Sequence, residues 1–339
     1  MSEIALNRYK QEIYSSIDFS KFVAALLVVA IHTHPFSGMD ADYYFTSLCR
    51  IAVPFFFVTT SFFFFRKANP NIKAYTKRLL ILYGLWFIIE LPLVYHRLFV
   101  NFDHSLIVQI LNCIRCVLLS NTWGASWFIM ACVISVNIVY FLSKKIDNYK
   151  LLIVGVLFYV MSLIGSSYSG IIDTFLPIQL VKWHHLLSMA FVPANSFIVA
   201  ILYIVIGKII AEGGGVSLNK NVIIFSVTIV AMLGALEVVL VRWSAEITDA
   251  FLFLPLLTFW MMLLLLKTEV VIRKDLSKLF RNMSILIYIL HAFLVDVNFI
   301  FKWYNYGLFF TFFTLFVSIL VSIIIIQLSG KITIFKKLY

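Results

Sequence analysis

The chain has 339 residues, of which 62% are hydrophobic and 13% charged, and a formal net charge of +11; its mean hydropathy is +0.99. A soluble domain is roughly 45–50% apolar and about 25% charged, so these values exclude a soluble enzyme and describe an all-α, polytopic membrane protein. The basic residues fall between alternate hydrophobic segments rather than in one patch, which excludes a nucleic-acid partner and fits the positive-inside rule.

The N-terminal MSEIALNRYKQEIYSS is polar and lacks an apolar h-region, so residues 1–16 read as a retained cytoplasmic tail and not as a cleaved signal peptide. The next segment, IDFSKFVAALLVVAIHTHPF (Ile17–Phe36), is about one membrane span long yet carries Asp18, Lys21, His32 and His34. A charge at the centre of a spanning helix costs roughly 2.5–3.5 kcal/mol, so such residues point to function. At 100° per residue, Lys21 and His32 lie about 20° apart around the helix and Asp18 lies about 40° from His32. The three form one stripe, with Lys21 and His32 separated by roughly 16 Å along the axis. In the plainer reading, Asp18 and Lys21 sit at the headgroups and only His32 lies within.

About ten spans follow from the hydropathy, at 17–36, 46–65, 77–96, 124–142, 150–165, 189–211, 221–241, 249–266, 283–302 and 307–328. Residues 17–330 form the transmembrane region and 331–339 a C-terminal tail. Segment 106–121 is apolar but short and holds Asn112 and Arg115, and it reads as interfacial or re-entrant. Its Cys113 and Cys116 form a CxxC inside an apolar helical run without a second ligand pair, so they read as small packing residues. His184 and His185, beside Trp183, lack evident further ligands and read as surface residues; no metal is expected. Most of the 27 basic residues fall on the N-terminal side of the membrane, leaving Arg50, Arg97, Arg115, Lys182, Arg242 and Lys302 opposite. That bias puts both termini in the cytoplasm. Trp183, Trp243, Trp303, Tyr304 and Tyr306 form an aromatic belt at the outer helix ends.

Placed by depth, His32, Arg50, Glu90 and Glu237 gather in the outer half of the membrane, with His291 and Asp296 on the ninth span. A histidine in an outward-facing cavity suits general-base chemistry, an acidic neighbour can orient it, and Arg50 can hold a carboxylate, a phosphate or an oxyanion. The structural alternative is a set of ion pairs between helices, such as Arg50 with Glu237.

Several motifs in order resemble the acyltransferase-3 family of integral membrane acyltransferases. They are IDFSKFVAALLVVAIH, RIAVPFFFVTTSFFFF (Arg50–Phe65), YTKRLLILYGLW (Tyr75–Trp86), WGASWFIMA (Trp123–Ala131) and SILIYILHAF (Ser284–Phe293). Within that family, AALLVVAIHTHP, AVPFFF, LIGSSYSGI (Leu163–Ile171) and the Glu237 region resemble the membrane part of vancomycin-resistance serine racemases. The chain ends at Tyr339 without their racemase domain, so racemisation is not expected of it. The resemblance implies a bacterial cytoplasmic-membrane enzyme. It would take an acyl group, most simply acetyl, from cytoplasmic acyl-CoA and pass it to a hydroxyl of an envelope glycan at the outer face. His32 would be the acyl-transfer histidine, with Arg50 a structural or oxyanion-side residue; Glu237, from its placement by depth, is the candidate acidic neighbour of His32. Lys21, Lys77 and Arg78 would hold the CoA phosphates. The expected partners are the acyl-CoA donor, a glycan or small amino-acid acceptor and the lipid bilayer; a homodimer is compatible with the sequence. The chain departs from the family at Lys21, where arginine is usual, and at Thr60-Ser61, where Ser-Gly is usual; lysine keeps the charge but loses the bidentate fork. The rival reading is a carrier for a small amino acid such as L-serine.

Overall fold

The structure, a computed structural model, describes residues 14–99, 105–119, 124–215, 217–244, 249–268, 270, 272–302 and 305–339. Arg8 and Lys10 of the tail, Trp123, Trp303 and Tyr304 lie outside the described residues, as does the side chain of Arg97. The described residues form helices and turns, with no strand among them. In chain order the helices are α1 (Ser15–Thr33), α2 (Asp40–Cys49), α3 (Ala52–Phe65), α4 (Ile72–Ile89), α5 (Leu91–Phe99), α6 (Leu106–Leu119), α7 (Ser126–Leu142) and α8 (Asn148–Ile164). They continue with α9 (Ser169–Phe175), α10 (Ile178–Phe191), α11 (Phe197–Ala211), α12 (Lys220–Val241), α13 (Phe253–Leu266), α14 (Lys274–Phe301) and α15 (Leu308–Ser329).

The chain is a multi-pass membrane protein. Among the described residues, six helical stretches are long and apolar enough to cross a bilayer, or seven if α8 and α9, bent by 82°, count as one span. Each of the ten segments read as spans carries a helix. Those that fall short of the length and composition of a full crossing do so for visible reasons. α7 and α13 are apolar but shorter, and α4 opens with Lys73, Lys77 and Arg78.

Proline accounts for several breaks. Pro54 cannot donate to the carbonyl of Arg50 and its ring crowds it, so the stretch Asp40–Phe65 turns at Arg50–Ile51 between α2 and α3. Pro92 acts the same way on Ile88, and α4 ends at Ile89, capped by Glu90. The stretch Ile178–Ala211 breaks at Val192, which sits at φ 44° just before Pro193. Elsewhere caps mark the starts. The Asn71 side chain accepts from the Ala74 N–H, Asp147 from Lys150 and Ser196 from Ile198.

α11 is apolar on every side and buried along nearly its whole length, and a helix hydrophobic all round must be the centre of the bundle. It packs against α3, α7 and α8. The tightest contact is at Gly207, where a Cβ would lie 2.4 Å from the Val58 carbonyl oxygen and 2.6 Å from Ser61 Cβ. Ser61 Oγ donates to the Ile204 carbonyl oxygen at 2.5 Å across the same contact. The small residue that lets α3 meet α11 is therefore supplied partly by the opposite helix. α12 and α15, by contrast, leave long rows of Phe, Leu, Ile and Val exposed, as lipid-facing helices do.

The helices alternate in direction. At one end, Ser16 Oγ donates to the Leu265 carbonyl oxygen at 2.9 Å, and Lys208 Nζ donates to Asn148 Oδ1 at 2.8 Å. The starts of α1 and α8 therefore meet the ends of α13 and α11. At the other end, the Gly307 N–H donates to the Thr33 carbonyl oxygen at 3.1 Å and Arg242 pairs with Asp40. α14 begins nine residues before the expected span, and its polar first turns are packed inward: Ser277 is buried and its Oγ donates to Asp18 Oδ2 at 2.8 Å. The 3-10 turn Thr333–Lys337 folds back so that Trp86 Nε1 donates to the Leu338 carbonyl oxygen at 3.1 Å.

Replacing Gly207 by valine is expected to overpack the α3–α11 contact and lower stability by roughly 1–3 kcal/mol. Gly84, on α4, meets no atom within 4 Å of an added Cβ. Gly84→Ala is thus expected to be neutral or slightly stabilising. Thermal unfolding of the two variants in detergent should separate them.

Candidate active site

A cavity of about 770 Å³ opens at the end of the bundle where α1 finishes and α2 begins. His32 enters it from the last turn of α1. His34 then ends the helix with a left-handed backbone, its N–H returning to the Ala30 carbonyl oxygen. The His34 ring is fixed in turn by Asp42. Nδ1 lies 2.7 Å from Asp42 Oδ2, while the Phe36 N–H donates to Oδ1 at 3.0 Å. The α1–α2 connection is thus tied down one turn from His32.

The His32 ring faces the open cavity and stacks on His291 of α14, with centroids 5.3 Å apart and an interplanar angle of 28°. His291 is buried, and its Nδ1 lies 3.1 Å from the Ile287 carbonyl oxygen. A carbonyl only accepts, so Nδ1 carries the proton and, in the neutral ring, Nε2 is the acceptor. One turn further on, Asp296 Oδ2 accepts from the Gly124 N–H at 3.1 Å. Gly124 permits this approach, since a Cβ there would lie 2.4 Å from Ala292 Cβ.

Arg50, placed at the Pro54-induced break, forms an ion pair with Asp249 just ahead of α13. Asp249 is further held by Asn195 Nδ2, which donates to Oδ2 at 2.6 Å, and by its own N–H, which donates to Ser166 Oγ at 2.9 Å. Arg50, Asn195 and Asp249 all line the cavity. The partner of Arg50 is therefore Asp249 and not Glu237.

Glu237 does not line the cavity. Its Oε1 accepts from the Tyr168 hydroxyl at 2.7 Å and the Leu252 N–H at 2.6 Å, and Oε2 from the Phe253 N–H at 2.9 Å. α13 has no capping side chain of its own at Leu252. Glu237 supplies that cap from α12, where the free amides and the helix dipole favour a carboxylate. Glu90 is fully buried at the α4–α5 junction and also lies outside the cavity.

The other end holds the expected donor-binding cations, but not together. Lys21 lies over the Phe63 ring at 5.9 Å and within electrostatic reach of Asp18, Arg281 and Arg78. Lys77, one residue before Arg78, is turned about 100° away. It lines a separate, largely apolar groove of about 740 Å³ between α4 and α7, with Lys73 and Lys144. The structure gathers Lys21 and Arg78 and separates Lys77 from them. Aromatic rings pack beside His291 at the cavity wall. Phe128 packs on Phe57 at 4.6 Å and on Tyr288 at 5.2 Å, and Tyr288 lies 5.7 Å from His291.

The residue that sequence reasoning missed is Asp249. Its only signal is its position: an acidic residue just before an apolar segment, where a helix start is expected.

Together these features define a multi-pass helical membrane protein with a histidine- and arginine-lined cavity at one end and a cationic cluster at the other. The chain belongs to the acyltransferase-3 family, whose model, described as an acyltransferase domain, matches residues 14–327. It is also similar to two amino-acid racemases of Enterococcus faecalis. One is 29% identical over 220 residues, covering 63% of this chain and 30% of the relative. The other is 28% identical over 164 residues, covering 46% and 23%. The chain thus spans less than a third of the length of these curated relatives. No solved structure matches it.

Removing one member of the Arg50–Asp249 pair leaves the other partly buried and without its countercharge, at roughly 1–3 kcal/mol. Arg50→Ala and Asp249→Ala are each expected to lower the unfolding temperature more than the double substitution does, as a thermal double-mutant cycle in detergent would show.

Proposed function

We propose that this protein carries out acyl transfer across the membrane. The donor is a cytoplasmic acyl-CoA, most simply acetyl-CoA, and the acceptor is a hydroxyl of a cell-envelope glycan. The observation that carries this reading is the placement of His32: exposed in a cavity, stacked on His291, and separated along the bundle from the Lys21–Arg78–Arg281 cluster. The basic-residue bias supports cytoplasmic termini, which would turn the cavity outward and the cations toward the CoA pool.

On this reading His32 takes the proton of the acceptor hydroxyl as its oxygen attacks the thioester carbonyl carbon. The carbonyl electrons move onto oxygen, and Arg50, held in place by Asp249, is the group available to stabilise that oxyanion. Collapse reforms the carbonyl, breaks the carbon–sulfur bond and leaves a CoA thiolate. Protonated His32 returns the proton to the sulfur. His291 positions the His32 ring by stacking. Roughly 16 Å of helix separates Lys21 from His32, a span an extended pantetheine arm covers.

The second reading, transport of a small amino acid such as L-serine, is favoured by the relatives, which are named amino-acid racemases. Its acidic group for the ammonium would be Asp249, which lines the cavity as Glu237 does not.

Membranes containing the protein should transfer labelled acetyl from acetyl-CoA, and His32→Ala should reduce this by at least about 100-fold, the lower range for loss of a general base. Lys21→Ala should raise the KM for acetyl-CoA, and Lys21→Arg should restore it. Purified protein that neither binds nor hydrolyses acetyl-CoA would sink the acyl-transfer reading. Saturable serine uptake into proteoliposomes without CoA would establish the other.

A further inference from the structure

A second polar cluster lies apart from the cavity, where α8, α9 and α10 meet. His184 and His185 are neighbours on α10, so their side chains diverge by about 100° and cannot converge on one point by themselves. The fold supplies the missing group. The short turn at Leu176–Pro177 reverses the chain between α9 and α10 and brings Asp173 back between the two rings. His184 Nδ1 lies 2.9 Å from Asp173 Oδ1, and His185 Nε2 lies 2.7 Å from Asp173 Oδ2. One ligand atom from each of the three residues lies within 4.8 Å of the others.

The protonation of His184 is constrained. Its Nε2 is 3.0 Å from the Ile164 carbonyl oxygen, which can only accept, so Nε2 carries a proton. In the neutral ring, Nδ1 is then a bare lone pair pointed at a carboxylate oxygen. Two acceptors in contact require a positive charge between them, either a second proton or a cation.

We propose that Asp173, His184 and His185 form a binding site for a borderline divalent metal ion, with zinc the best fit. Two imidazole nitrogens and one carboxylate oxygen are a zinc donor set. The Ile164 carbonyl serves as the outer partner that fixes the tautomer of a ligating histidine. Tetrahedral bonds of roughly 2.0–2.2 Å place ligand atoms roughly 3.3–3.6 Å apart, so the two carboxylate–imidazole contacts at 2.9 and 2.7 Å would open while the remaining separations, none above 4.8 Å, would close. The His185 side chain is 58% exposed and that of Asp173 23%, which leaves solvent access for a water as fourth ligand.

The bound ion would join α9 and α10 to the last turn of α8 across the 82° bend. That turn has a role in the cavity as well. Ser166, two residues beyond Ile164, holds the N–H of Asp249, the partner of Arg50. The metal would therefore brace the turn that seats Asp249 without touching the reacting groups.

The test is calorimetric titration of zinc chloride into chelator-treated, full-length protein in detergent, carrying no polyhistidine tag. Wild type is expected to take up one equivalent and to unfold at a higher temperature with zinc present. His185→Ala, which removes a largely exposed ring, and Asp173→Asn should each weaken binding at least tenfold. If wild type takes up no more zinc than His184→Ala/His185→Ala, the proposal is wrong. The same holds if zinc leaves the unfolding temperature of the wild type unchanged.

Discussion

A helix that breaks inside a bilayer must find partners for the backbone groups it frees, because lipid offers none. This constraint organises the structure. The chain breaks where proline removes a donor, at Pro54, Pro92 and Pro193, and polar residues collect at those breaks. Arg50 stands at the first, Glu90 at the second, and Asn195 just after the third. Where α13 begins without its own cap, Glu237 crosses from α12 to meet the free amides. Where the chain enters Asp249 and Ala250, Ser166 Oγ accepts both N–H groups. Glu237, a costly group within the membrane, is therefore the complement of a helix start that lacks its own cap.

The same constraint sorts the intramembrane ionisable residues into two kinds. Glu237 and Asp18 are consumed by local bonding, Glu237 to amides and Asp18 to Ser277. His32 is different, because its ring is presented to open volume. Arg50 lies between the kinds, since its ion pair with Asp249 is itself part of the cavity wall. A group retained at the membrane interior and facing a water-sized space is the arrangement in which chemistry outweighs structure as the reason for its presence.

Much of this was legible in the sequence. Hydropathy located a helix at every expected span, and the 3.6-residue period placed Lys21 and His32 on one stripe. The exceptions share a physical origin. Glu237 and Asp249 are both acidic residues near the ends of apolar segments, and the sequence does not say which will cap a helix and which will pair with Arg50. That depends on how α12 and α13 pack. α14 starts ahead of its hydropathic span because Asp275, Ser277, Lys278 and Arg281 lower the hydropathy of its first turns, although contact with α1 buries Ser277 there. Asp173 and the His184–His185 pair are separated by a proline turn whose geometry no periodicity reports.

The extended α14 also bears on the departure at Lys21. An arginine there would offer a phosphate two parallel hydrogen bonds, and a lysine offers a point charge. Yet Lys21 does not stand alone. Arg281 reaches the neighbourhood from the early turns of α14, with Nη1 3.9 Å from Asp18 Oδ2, and Arg78 approaches from α4. The buried carboxylate of Asp18, fixed by Ser277, partly offsets the mutual repulsion of these three cations. An anion bearing several negative charges would offset the remainder. On the proposed reading, the planar forks that suit phosphate are then supplied by Arg78 and Arg281, and Lys21 adds charge at the foot of the helix that carries His32. On that reading phosphate recognition would be shared among three helices instead of lost, so the lysine alone does not argue against an anionic donor.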